Sequence, residues 1–254
     1  MELKPYIKLQ LDGIVWRMEI DPVSSTLCLE VRREQDKQVS FTAADLISGK
    51  INFTGLTVDE RWLTGIESAY DGVLLLHGYA SEGSPTHKGL TALDGTTGEI
   101  LWQDYNRTFD HLSTRGPVCY DTRFQPRKLS FVDIKTGTIS GTYDGVLDQD
   151  IESRIIVPDM VTANETEHTM LPQQPFANIL HKLYHNSYRI VSLHAQKTDA
   201  LHQLLYIYKD GNLVFTDLLN SDIQKLQPEA FVLHDQHLIY LKNRMELNVI
   251  KLEY

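Results

Sequence analysis

Apolar and polar residues alternate over short stretches along most of this chain. Leu27, Leu29 and Val31 interleave with Cys28, Glu30 and Arg32, a period of two that sorts side chains onto the two faces of a β-strand. Val73–Leu76 is a continuous apolar run, as a strand covered on both faces requires. Leu204–Tyr208, Phe231–Leu233 and Leu238–Leu241 read the same way. Asp12-Gly13, between Tyr6–Leu11 and Ile14–Ile20, predicts a hairpin. Helical periodicity is weak. Its best windows, Asn178–His185 and Ser221–Leu226, predict two turns at most. Met160–Pro175 is polar and ends in prolines, which predicts a long loop or irregular edge, or equally a docking segment. So many short strands between recurring turn signals predict an all-β sandwich, barrel or propeller.

Internal repeats choose among these. LTALDGTTGEILW (90–102) aligns with FTAADLISGKINF (41–53) and LSFVDIKTGTISG (129–141). Asp45, Asp94 and Asp133 coincide, then Ser48, Thr97 and Thr136, then Gly49, Gly98 and Gly137, then Ile51, Ile100 and Ile139. KDGNLVF (209–215) is a degenerate copy, and Trp16 and Val249 can be set at the aromatic position. That position falls at 16, 53, 102, 141, 215 and 249, in steps of 37, 49, 39, 74 and 34. The step of 74 is twice 37, which predicts one diverged copy between Gly141 and Phe215. The step of 49 carries an insertion over Ala80–Lys88. Four-stranded repeats of about 40 residues are the signature of a β-propeller. The expectation is one domain, 1–254, of about six blades, five or seven being allowed. An N-terminal strand or hairpin would close the last blade and remove an exposed edge.

The repeat has a physical reading. Asp94 can accept hydrogen bonds from N–H groups two or three residues on, with Thr97 adding a hydroxyl. Gly98 can supply the positive φ that closes the turn. Ile100 and Trp102 then face a packed side of the sheet. Ala92 leaves room for a ring from a neighbouring blade. The Trp102 indole is expected to be buried between blades. Gly141 replaces the aromatic in the third copy, so an irregular junction is expected there.

Ala92, Asp94, Thr97, Gly98 and Trp102 together resemble the pyrroloquinoline-quinone-type, or tryptophan-docking, propeller repeat. Ala43–Phe53 keeps the pattern through Asp45 and Gly49, with Ser48 for Thr and Phe53 for Trp. Phe131–Gly141 keeps Asp133, Thr136 and Gly137. The whole sequence also resembles short bacterial propeller proteins to which no activity attaches. The resemblance implies fold rather than function. The quinone and its calcium site are not carried over, because the adjacent Cys-Cys pair and secretion signal of quinoprotein dehydrogenases have no counterpart here. No cofactor is expected.

The net charge of −10 and pI of about 5.4 disfavour grip on a nucleic-acid backbone. No stretch has the roughly 18–20 apolar residues of a bilayer span, and the N-terminus lacks the basic and apolar regions of a secretory signal. Cys28 and Cys119 are too few for a disulfide framework and read as small buried hydrophobes. These features predict a cytoplasmic protein.

Long loops on rigid scaffolds often carry function. The insertion at 80–88 and the segment Asp104–Arg115 are expected to be loops on one face, gathering His77, Tyr79, His87, Tyr105, Arg107, Asp110, His111 and Arg115. A solvated polar rim is the plainer reading of the same residues. No metal site is expected. His181 and His185 would share a helical face but lack a third ligand at suitable spacing. Asp148, Asp150 and Glu152 lack the glycine of a calcium loop, Ser153 standing there. No nucleophile elbow or phosphate loop is present. The chain therefore reads as a non-catalytic module binding a protein or small ligand through one rim. The alternative is an enzyme or a sugar or small-molecule binder, its site near His87, His111 and Arg115.

Overall fold

The computed structural model describes residues 3–197, 199–228 and 230–253. The described residues form five antiparallel sheets. They fall into two compact units, Leu11–Ser153 and Met1–Gln10 with Arg154–Tyr254.

Strand β1 (Ile7–Gln10) belongs to the second unit. The first unit holds three four-stranded sheets, each a meander in chain order. The first comprises β2 (Ile14–Ile20), β3 (Thr26–Arg33), β4 (Gln38–Asp45) and β5 (Ile51–Leu56). The second comprises β6 (Thr64–Tyr70), β7 (Val73–Tyr79), β8 (His87–Asp94) and β9 (Ile100–Asp104). The third comprises β10 (Arg107–Ser113), β11 (Gly116–Asp121), β12 (Ser130–Val132) and β13 (Ile139–Thr142).

The apolar run in β7 is explained by two cores. Leu74 and Leu76 pack with Cys28, Phe41 and Ile66. Val73 and Leu75, on the opposite face, pack with Leu90, Cys119 and Val132. Period-two geometry therefore sends one strand's side chains into both cores.

The recurring turn forms as its sequence requires. The Asp94 carboxylate accepts from the Thr96 and Thr97 N–H groups, both at 2.8 Å. Asp45 and Asp133 do the same for the residues two and three further on. Gly49, Gly98 and Gly137 take φ of 74°, 78° and 72°, where a side chain would be strained. Asp21, buried between β2 and β3, makes a related turn through Val23 and Ser24. It also accepts from the N–H groups of Asp71 and Gly72 in the next sheet.

The second unit has two five-stranded sheets. One runs β15 (Asp159–Thr162), β16 (Ile179–His185), β17 (Tyr188–Lys197), β18 (Ala200–Lys209) and β19 (Asn212–Ile223). The other places β14 (Ile155–Ile156) beside β20 (Phe231–His234), β21 (His237–Lys242), β22 (Glu246–Lys251) and then β1. The β1 strand pairs with β22, Ile7 opposite Val249.

Several expectations are corrected. The Asp12-Gly13 segment is no hairpin: β1 and β2 lie in different sheets. Neither helical window forms an α-helix: Ile179–His185 is β16, and Ser221–Ile223 ends β19 before a bend. Pairing across the sheet outweighs weak helical spacing there. Met160–Pro175 is not simply a loop. It contains the end of β15 and helix α1 (Glu165–Met170), capped by Asn164 and Glu167. The interval between Gly141 and Phe215 holds no separate diverged sheet among the described residues; β15–β18 belong to the sheet that ends in β19. Asp104–Arg115 is mostly β10, not a loop. Ile100 and Ile139 are exposed, and Trp102 is half-buried rather than enclosed, because β9 and β13 are edge strands. Trp16 stands in a first strand, so it is not equivalent to Phe53 and Trp102 in fourth strands.

Candidate functional site

Three side chains converge on the face of the second sheet formed by β6, β7 and β8. His77 and Tyr79 are two apart on β7 and share a face. His87 on β8 is the direct partner of Tyr79 and lies on that face too. Glu67 joins them through a β-bulge. Ile66 pairs with Leu76 and Ser68 with Leu75, which leaves Glu67 as the extra residue. Such a bulge re-aims a side chain without breaking the sheet.

The geometry is close. His87 Nδ1 lies 2.8 Å from Glu67 Oε2 in hydrogen-bond geometry. His77 Nδ1 lies 3.1 Å from the same oxygen without hydrogen-bond geometry, and among the described residues neither ring nitrogen of His77 has a hydrogen-bond partner. The two imidazoles stack at 3.5 Å with an 8° interplanar angle. Tyr79 presents its ring edge-on to both, at 4.7 and 5.3 Å. His77 is only 3% exposed, whereas His87 reaches solvent. Burial alone would raise the Glu67 carboxyl, but its interactions with His77 and then His87 bring it below its ordinary value. The group is thus a carboxylate held ionised between two imidazoles.

The first sheet braces this site. Glu30, almost fully buried, accepts from the Ile66 N–H at 2.8 Å and from Arg32 Nε at 2.6 Å. Arg32 also donates to the Thr64 carbonyl, and its guanidinium lies over Trp16 and Trp62 at 5.5 and 5.0 Å. Arg17 donates to the Glu67 carbonyl. Gly65 is required by packing: a Cβ there would stand 2.8 Å from Glu30 Oε2 and 3.1 Å from His77 Nε2. Beside His77 opens a cavity of about 310 Å³ whose walls include Glu60, Thr64, Lys88, Gln103 and Tyr105.

Of the residues singled out from sequence, the structure gathers His77, Tyr79 and His87 and places Tyr105 on the adjoining cavity. Tyr105 is exposed and packs over Gly89. The others form a different group. His111 faces Asp110 at 2.8 Å and Asp150 at 3.3 Å. Arg115 bonds Asp148 at 2.9 Å and covers the Phe131 ring. Arg107 lies 3.2 Å from Asp104 and donates to the Gly137 carbonyl. Among the described residues, His87 shares no side-chain partner with His111 or Arg115. His181 and His185 lie on a strand, His181 buried. Glu67, Glu30 and Arg32 were missed. The only signal for Glu67 is a lone acidic residue in the stretch 62–70, since the bulge that turns it inward leaves no mark in a period-two pattern.

Residues 20–102 match the model of a family described as Domain of unknown function (DUF4905). No curated protein matches the chain. Among solved structures, the β-propeller domain of the Trilobed protease from Pyrococcus furiosus is similar at 10% identity. That match covers 95% of this chain and 68% of that one, with a TM-score of 0.32. The Dos1 propeller is similar at 8% identity over 98% of this chain and 96% of that one, with a TM-score of 0.27. Chaetomium thermophilum Raptor is similar at 9% identity with a TM-score of 0.29; the match covers all of this chain but only 29% of Raptor. Likenesses this distant carry no argument about activity. Among the described residues, no helix is long and apolar enough to cross a membrane.

Proposed function

We propose that this chain is a non-catalytic binding module whose sheets are blades of a β-propeller, and that a small polar ligand occupies the cavity beside His77. The propeller reading is supported by the chain-order meanders, by the shared aspartate turn and by the β1–β22 pairing. The binding reading rests on one observation. The cavity of about 310 Å³ combines an exposed aromatic, Tyr105, with the polar groups of Thr64, Lys88 and Gln103 on strands and of Glu60 in the bend before β6. Size and lining suit a ligand of sugar dimensions, whose ring stacks on tyrosine while its hydroxyls meet charged and amide groups.

The test is a panel of neutral and acidic hexoses added to the full chain and followed by thermal shift and saturation-transfer NMR. At least one sugar should bind in wild type, weaken at least about tenfold in Tyr105→Ala, and be recovered unchanged. Absence of binding across the panel, or binding indifferent to Tyr105→Ala, rejects the cavity as the ligand site. Turnover of the bound sugar would replace the module reading with an enzyme.

A further inference from the structure

We propose that Glu67, His77 and His87 form a binding site for a divalent transition-metal ion of the zinc class. The site shares His77 with the wall of the sugar cavity, but the inference does not rest on the sugar reading, since the other two donors, Glu67 and His87, lie outside that lining.

The donor set is the first support. Two imidazoles and one carboxylate leave coordination positions open, a combination that zinc accepts and that calcium and magnesium, which take oxygen ligands, do not favour. The spacing is the second. The Nδ1 atoms of His77 and His87 lie 3.1 and 2.8 Å from Glu67 Oε2, and all three donors fall within 4.8 Å of one another. Bonds of about 2.0–2.1 Å in a tetrahedral site set ligand atoms about 3.3 Å apart. The observed separations differ from that by a few tenths of an ångström.

The third support is the state of His77. The His77 Nδ1 meets Glu67 only in a poorly aligned contact, and its Nε2 has no hydrogen-bond partner among the described residues; a buried imidazole so placed costs free energy unless something satisfies it. A metal on Nδ1 would give that nitrogen a directed partner. On the other side, Nε2 and Glu30 Oε2 both border the space that a Cβ at Gly65 would fill. The carboxylate is thus a neighbour of that nitrogen without being hydrogen-bonded to it. The bulge turns Glu67 towards the two imidazoles, and the missing side chain at Gly65 leaves room beside His77.

The stacked rings point their in-plane lone pairs side by side rather than at one centre. Capture of an ion therefore turns His87 out of the stack, a movement its solvent-exposed position permits. Buried His77 stays fixed as the anchor. Binding should accordingly separate the two rings.

The experiment uses the full chain, stripped by chelator and titrated with Co²⁺ and Zn²⁺ by calorimetry. The Co²⁺ visible spectrum is followed in parallel. One ion per chain should bind at micromolar concentration or tighter, with visible bands of a four- or five-coordinate site. His87→Ala, chosen because His87 is not core, and Glu67→Gln should each weaken binding at least about 100-fold. His111→Ala, in the separate Asp110–Asp150 group, should leave it unchanged. In wild type, Co²⁺ should shift or broaden the imidazole resonances of His77 and His87, which reads the ligands without any variant. No stoichiometric binding at micromolar ion overturns the proposal. So does binding that survives His87→Ala, or paramagnetic effects confined to other histidines. Sugar binding that fails while Co²⁺ binding persists would reject the cavity reading and leave this one standing.

Discussion

Trp102 lies directly on Gly137 of the following sheet. A Cβ at Gly137 would come within 2.7 Å of the indole Cδ2, and the indole Nε1 donates to the Ile134 carbonyl at 2.7 Å. At Gly98, one sheet earlier, the Cβ position is crowded by Leu56 Cδ2 at 2.8 Å, with Phe53 Cδ1 at 3.4 Å. Gly98 and Gly137 therefore each answer two demands, a positive φ and room for a side chain of the preceding sheet.

Gly137→Ala should destabilise the chain more than Gly211→Ala, a glycine at φ 81° with open space around its Cβ position. Both pay backbone strain, and only the first collides with a ring. Trp102→Ala should cost about 3 kcal/mol, less than a fully enclosed indole because one edge is exposed. Urea unfolding followed by far-UV circular dichroism checks the order. Equal midpoints for the two glycine variants would remove the indole from the account.

Much of this was legible in the sequence because the turn is local. Asp45, Asp94 and Asp133 act on residues two and three positions away, so spacing alone exposes them. The apolar run of β7 announced a strand covered on both faces for the same reason. The candidate site was half legible. His77, Tyr79 and His87 stand out near an insertion, but Glu67 enters through a bulge and Glu30 from another sheet, and neither relationship has a sequence period. Asp104–Arg115 misled because its polar residues mimic a loop, while β10 pairs with β11 through backbone groups that composition does not show. The Asn164-x-x-Glu167 capping box was readable and marks the start of α1.

Glu30 and Arg32 form a buried ion pair, side-chain exposures 2% and 10%, that also caps the Ile66 N–H. Glu30→Ala strands a guanidinium and a backbone donor, and should cost about 3–5 kcal/mol. The double replacement Glu30→Leu with Arg32→Met removes both charges, and should cost less than the single one. Chemical denaturation of the two variants decides this. A double variant less stable than Glu30→Ala would show that the pair contributes more than mutual compensation.

Cys28 and Cys119 are buried and free. Burial pushes the Cys28 thiol far up and the Cys119 thiol up to about 12, so thiolate is negligible at neutral pH. A disulfide-exchange reagent should titrate neither thiol in the native chain within minutes, and both in urea. Rapid native labelling of either would show that the surrounding core opens far more readily than its packing implies.

His194 makes stability depend on pH. It is buried, its Nε2 accepts from the Gln227 N–H at 3.0 Å, and burial followed by the charge of His181 lowers its pKa to about 4. The unfolded chain protonates it near 6.5, so between those values the unfolded state binds the extra proton. The contribution of neutral His194 is therefore complete above about pH 6.5 and is lost as pH falls towards 4, on the order of 3 kcal/mol in all. His194→Gln keeps an acceptor for Gln227 but cannot titrate. Relative to wild type it should gain stability between pH 7 and pH 4.5, measured as the difference in urea midpoint at each pH. Parallel pH profiles for the two proteins would mean that His194 is not held neutral by the fold.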